Sequence, residues 1–142
     1  MELKRVVVTG LGAVTPLGND VATTWNNAIN GVSGAGPITQ FDASKFKTQF
    51  ACEVKDFDVT KYLDRKEARK CDRYTQLAIA ASEEAIADSG LKFETENCDK
   101  IGVIVSAGIG GIKTFEEEVG YYYQNKDCLL YTSPSPRDRQ KS

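Results

Sequence analysis

The sequence predicts an α/β protein in which helices cover a sheet, and three observations predict it. Residues 6–8 are three consecutive valines, and residues 101–106 read Ile-Gly-Val-Ile-Val-Ser. Both are short apolar runs without polar alternation, the pattern of strands buried on both faces. Each run enters a glycine-rich turn and then a helix-forming stretch. Between them lies an alanine-rich segment, and alanine combines strong helix propensity with a side chain small enough for close packing on a sheet. The resulting order of strand, helix, excursion, helix, strand, helix is that of a layered α/β domain. A chain of 142 residues is long enough for one such domain.

The opening run continues as Thr9-Gly-Leu-Gly-Ala-Val-Thr-Pro-Leu-Gly18. Gly10 and Gly12 permit a bend and close packing, and Pro16 cannot donate to a ladder. Gly18 closes the turn, and Asn19 or Asp20 caps the next helix. The dinucleotide fingerprint is absent, because Thr15 stands where the third glycine belongs, and no Gly-Lys-Ser/Thr follows. A helix is predicted over 21–30, with Val21, Trp25, Ala28 and Ile29 as its apolar stripe and Gly31 as its stop. Residues 32–37 read as a surface loop. Residues 40–59 read as irregular, with a short extended piece over 50–54 and with Phe41, Phe46, Phe50 and Phe57 capping the core.

Residues 61–73 carry six basic and three acidic side chains, a local charge of +3 in a chain of net −2. If the segment is one helix, Lys66, Arg69, Lys70 and Arg73 share a face. A solvated surface is the plain reading of such a cluster; a docking patch for an acidic partner is the functional one. Asp72 is placed to cap a helix over 73–89 that ends at a left-handed Gly90. Residues 91–100 form a polar connection. After the second apolar run, glycines 108, 110 and 111 allow a sharp turn or a close approach by a ligand or another chain. A last helix is predicted over 112–123, with Phe115, Val119, Tyr122 and Tyr123 on one side.

Composition narrows the function classes. Net charge −2 argues against general nucleic-acid binding. No apolar run approaches the roughly 20 residues of a membrane helix. The first residues do not form a signal peptide, so a cytoplasmic location is expected. Cys52, Cys71, Cys98 and Cys128 form no Cys-x-x-Cys pair, so neither a metal site nor a disulfide framework is expected, and no cofactor motif is present. There is no histidine, which closes every His-dependent mechanism to these residues.

Four segments taken in series resemble the β-ketoacyl-[acyl-carrier-protein] synthases, the type II elongating enzymes in particular. They are residues 6–18, Arg65-Lys-Glu-Ala-Arg-Lys70, Ala87-Asp-Ser-Gly-Leu91 and Ser106-Ala-Gly-Ile-Gly-Gly111. The resemblance covers residues 1–127. It implies part of the first half of a thiolase-like fold, a homodimer when the enzyme is whole, and decarboxylative Claisen condensation between an acyl thioester and malonyl-carrier protein. It also implies that Arg65, Lys66, Arg69 and Lys70 dock the acidic acyl carrier protein, and that Gly108 and Ile109 border the acyl pocket. The family's nucleophilic cysteine and two histidines have no counterpart here: Cys52, Cys71, Cys98 and Cys128 are followed by Glu53, Asp72, Asp99 and Leu129, none of which fits the family's setting. No catalytic residue is therefore assigned, and the chain by itself is expected to be inactive. A non-catalytic carrier-binding or dimerisation module is the alternative. Residues 128–142 leave the family pattern for a Ser/Pro-rich, charged composition that reads as disordered or as read-through of adapter sequence, with a native tail as the alternative. Strand edges left without neighbours are expected to favour aggregation.

Overall fold

The computed structural model describes residues 4–125; the tail over 128–142 lies outside the described residues. Four helices and one short ladder are present among them. Helix α1 spans Val21–Ile29, α2 Arg65–Ala68, α3 Arg73–Ser89 and α4 Ile112–Asn125. Strands β1 (Ala35–Pro37) and β2 (Phe50–Cys52) pair antiparallel, with Ala35 opposite Cys52 and Pro37 opposite Phe50. Single 3-10 turns at Val59–Lys61 and Cys98–Lys100 complete the order.

The organising element is α3. Its alanine face receives residues 10–13, and Ala80 is the most deeply buried apolar residue described. A Cβ on Gly10 would sit 2.6 Å from the Ser89 amide nitrogen, and one on Gly12 would sit 2.7 Å from that of Ala85 and closer still to the Ala81 carbonyl. These glycines are required by close approach to the helix backbone. Polar side chains of α3 then tie the segment down. The Leu11 amide donates to Asp88 Oδ2 (2.9 Å), and the amides of Ala13 and Val21 donate to the two oxygens of Glu84 (both 2.8 Å). One carboxylate thus holds the end of the leading segment and one of the orphan amides at the start of α1.

The local signals for α1 hold; those for α3 give its bounds, but Asp72 sits at the N-cap position without capping, because its carboxylate bonds Thr114 instead. Asp20 caps α1 through the Thr23 amide, Gly31 follows with φ +66°, and Thr15 and Gly18 close the turn around Pro16 with paired backbone bonds of 2.8 and 3.2 Å. Helix α3 begins at Arg73 and ends at Gly90 with φ +69°. Helix α4 begins at Ile112 as expected and runs to Asn125.

Several expectations are corrected. Residues 6–8 and 101–106 make no ladder among the described residues and are not buried: Val6 is 89% exposed and Ile104 96%. A strand buries its faces only against covering layers, and no layer lies over either run among the described residues. Of the apolar stripe of α1, Trp25, Ala28 and Ile29 are exposed, and only Val21 joins Thr24 and Asn27 in the packed face. Asn27 Nδ2 secures that face by donating to the Leu17 carbonyl at 2.6 Å. Likewise Phe115, Tyr122 and Tyr123 of α4 are exposed. The loop expected over 32–37 contains β1, where Gly36 and Pro37 are tolerated because a two-stranded ladder consists only of edges. Phe41, Phe46 and Phe50 are exposed and cap no core; Phe41 and Phe46 instead meet edge to face. Phe57 is half-buried, stacked on Tyr62.

Candidate functional site

The basic segment is two helices with a break between them. Asp64, in extended conformation, accepts hydrogen bonds from the Lys66 and Glu67 amides at 2.7 and 2.8 Å, which starts α2. The helix lasts one turn. Residues 69–71 form a turn and a bend that do not continue the helix, and Asp72, again extended, precedes α3. A single helical face shared by Lys66, Arg69, Lys70 and Arg73 is therefore absent. Arg73 is drawn elsewhere, its guanidinium carbon 4.7 Å from the centroid of the Phe57 ring.

Arg65, Lys66, Arg69 and Lys70 remain together on one short turn. All four are exposed, and none forms an ion pair among the described residues. Beneath them Ala68 is buried, and Gln76 Nε2 of α3 donates to the carbonyls of Ala68 (2.9 Å) and Cys71 (3.1 Å). The turn is thus held from below while its cations face solvent. On its N-terminal flank, Asp58 caps the 3-10 turn, and the Thr60 hydroxyl, then the Thr60 amide, hold its carboxyl below the usual carboxylate range.

Immediately after the patch the chain enters a groove of about 600 Å³. Cys71, Asp72 and Tyr74 form one wall, and Gly110, Gly111 and Thr114 the other. Gly110 has φ +77°, a left-handed conformation that turns the chain into α4 and that residues with a Cβ rarely adopt. Ile109 stands just before this bend, 78% exposed and outside the groove lining, and Gly108 has open space around it. The groove brings the end of the basic turn and the base of the glycine turn together, but it does not enclose Ile109. Two residues of this region were not legible in the sequence, Gln76 and Thr114; Gly111 was read as part of the glycine turn, but its approach to Asp72 was not. Their contacts are long-range, and no local pattern announces them. The break at 69–71 did have a signal, since Asp64-x-x-Glu67 followed by Asp72 marks two helix starts eight residues apart.

No group of three or more potential metal ligands occurs among the described residues. Cys52, Cys71 and Cys98 are free thiols. No described helix is long and apolar enough to cross a membrane.

The fold is thus an α/β segment that presents a basic turn beside a glycine-rich turn and assembles no catalytic set among its described residues. The chain belongs to the β-ketoacyl synthase family: the family's N-terminal domain matches residues 3–137. It is 51% identical over 118 residues to 3-oxoacyl-[acyl-carrier-protein] synthase 2 of Synechocystis sp., covering 83% of this chain and 28% of that protein. It is 49% identical over 113 residues to the synthase of the same name from Staphylococcus aureus, covering 80% and 27%. The chain therefore spans under a third of the length of these relatives. Among solved structures it resembles a type II polyketide ketosynthase in complex with its acyl-carrier protein, AntDE:AntF (TM-score 0.71, 27% identity, 97% of this chain and 37% of that one). It also resembles the ishigamide ketosynthase/chain length factor (TM-score 0.69, 28% identity, 85% and 30%). These structural relatives are thiolase-like ketosynthases, so the α/β class read from the sequence stands. Its two short apolar runs simply lack ladder partners among the described residues.

Proposed function

We propose that this chain is the N-terminal part of a cytoplasmic, homodimeric condensing enzyme of fatty-acid elongation. In that enzyme, malonyl-carrier protein loses carbon dioxide and the resulting carbanion attacks an acyl thioester. The contribution proposed for this chain is the docking of acyl carrier protein by Arg65, Lys66, Arg69 and Lys70, with Gly108 and Ile109 bordering the acyl pocket. The observation that carries the reading is the cluster of four exposed cations on one turn, unneutralised among the described residues and held from below by Gln76. The polyketide ketosynthase bound to its carrier protein supports it. Charges so placed steer an acidic partner and fix its orientation more than they add raw affinity. The chain has no histidine and no cysteine in the family's nucleophile setting, so by itself it performs no condensation.

The test titrates the 142-residue chain with acyl carrier protein. Binding is expected, weakening with added salt as exposed charges are screened. The triple variant Lys66→Glu, Arg69→Glu, Lys70→Glu abolishes it; the control Lys45→Glu, Lys47→Glu does not. Equal binding by the triple variant and the parent chain would overturn the docking assignment. Incubation with acyl- and malonyl-carrier protein yields no condensed product; product formation would overturn the inactivity.

A further inference from the structure

Asp72 breaks a local rule. It occupies the N-cap position of α3 with φ −61° and ψ 157°, yet its carboxylate makes no cap hydrogen bond to its own helix. A capping Asp ordinarily satisfies one of the orphan amides of its own helix. Here the carboxylate turns away. Oδ1 accepts a hydrogen bond from Thr114 Oγ1, in the first turn of α4 and 42 residues along the chain. The other side of the carboxylate packs on the Gly111 Cα, so closely that a Cβ there would fall within it. A side chain at position 111 would push the Asp72 carboxylate out of this position. Both Asp72 and Thr114 are half-buried. One turn further along α3, Gln76 grips the carbonyls of Ala68 and Cys71, which bracket Arg69 and Lys70. Asp72, Gln76, Gly111 and Thr114 all line the same groove.

We propose that Asp72 is a positioning residue, which with Thr114 ties the basic turn over 65–71 to the glycine turn over 108–111 so that the two respond as one unit. The functional meaning rests on the carrier-docking reading: a carrier protein seated on Lys66, Arg69 and Lys70 would transmit its contact through Cys71 and Asp72 to the bend beside Ile109. The physical basis is that a half-buried, charge-assisted hydrogen bond holds where an exposed one would exchange with water. A local preference given up without local compensation marks such a tie.

Amide hydrogen exchange on the full chain tests it, because hydrogen-bonded reporters lie on both sides. Lys70 and Cys71 donate to Glu67 and Ala68, while Ile112 and Phe115 donate to Gly110 and Gly111. Thr114→Val keeps the side-chain shape and removes the donor; exchange is expected to rise about tenfold at all four amides, the loss of one hydrogen bond to a charged group. Thr114→Ser, which keeps the hydroxyl, stays at the parent rates, and the Thr24 amide in α1 is unmoved by either. If Thr114→Val fails to fold, Asp72→Asn supplies the comparison: it keeps an acceptor without the charge, and a smaller rise is expected on both sides. A rise confined to Ile112 and Phe115, or equal effects of Val and Ser, overturns the proposal. Adding acyl carrier protein separates it from the reading beneath it. Slowed exchange at Lys70 and Cys71 that spreads to Ile112 in the parent chain, but not in Thr114→Val, supports both. No slowing at Lys70 and Cys71 sinks the docking reading alone and leaves the tie to the first experiment. Spreading that is undiminished in Thr114→Val sinks the tie alone.

Discussion

Residues 6–18 and 101–111 are two versions of one pattern, an apolar run followed by a glycine-rich turn that leads to a helix, and the fold treats them differently. In both, the apolar run is exposed. The first turn is clamped on α3: Gly10 and Gly12 lie against its backbone, and Asp88 and Glu84 take the amides of Leu11, Ala13 and Val21. The second has open space around Gly102 and Gly108, and its tie to the rest runs through Thr114, Gly111 and Asp72. The comparison teaches that the glycines of such a pattern serve different ends. Gly10 and Gly12 allow contact, Gly110 allows a positive φ, and Gly102 and Gly108 do neither among the described residues.

The sharpest way to break the comparison is to add one methyl group to each region. Gly12→Ala drives a Cβ into the backbone of Ala81 and Ala85, which belongs to a helix and cannot step aside. Overpacking of this kind costs about 3 kcal/mol. Gly102→Ala meets nothing within 4 Å and needs no left-handed backbone, so its effect lies within about 0.5 kcal/mol of zero. Urea titrations of the two variants at unchanged m give the difference directly. Equal shifts would mean that the clamp on α3 does not set the stability of the chain.

The next effect removes the tether and leaves the contact. Glu84→Ala strips both carboxylate oxygens from two backbone amides, those of Ala13 and Val21. Hydrogen bonds to a charged group are worth about 1.5–3 kcal/mol each and do not add when they share one side chain, so a loss of about 2 kcal/mol is expected. Glu84→Gln keeps one carbonyl acceptor and loses about half as much. A loss confined to the few tenths typical of an exposed substitution would show that the glycine contact alone holds the segment.

What the sequence made legible follows the same division. The helices over 21–29 and 73–89 were readable because their signals are local: Asp20 and Asp72 before them, and Gly31 and Gly90 after them with positive φ. The basic residues were readable as a cluster, because charge needs no partner to be seen. Their geometry was readable only in part: the two Asp helix starts mark the break at 69–71, while the support from Gln76, reaching back to Ala68 and Cys71 from the next helix, has no local signal. The burial of residues 6–8 and 101–106 was misjudged because an apolar run states only that a face can be covered, while a covering layer is a property of the assembled fold. The outward face of α1 carries the same lesson. Trp25 and Ile29 have the spacing of a core stripe, yet Asn27 and Thr24 are the residues that the fold turns inward.

The smallest effect probes the clamp by pH. Asp20 holds the N-terminus of α1 in the clamped region, with Oδ1 accepting from the Thr23 amide at 2.6 Å and Oδ2 from its hydroxyl at 2.8 Å. The Thr23 amide first, and then the hydroxyl, lower its carboxyl below the ordinary aspartate value. Because the folded state binds the proton less readily than the unfolded state, the unfolded chain carries more protons between the two values, and stability rises with pH across that window. The contribution is therefore complete above the unfolded aspartate range near pH 4 and is lost as pH falls through the folded value. The group is exposed, so solvent screening keeps the effect small. Asp20→Asn retains a good cap without a titrating group, so at neutral pH it should change stability little while flattening the slope below pH 4. Urea midpoints of the two proteins between pH 2.5 and 6 test this: the curves should lie together near pH 6 and separate as pH falls, the parent losing stability more steeply. Identical slopes would mean that the cap on α1 does not persist in solution, and the clamp would then end at Glu84 rather than extend into the helix it introduces.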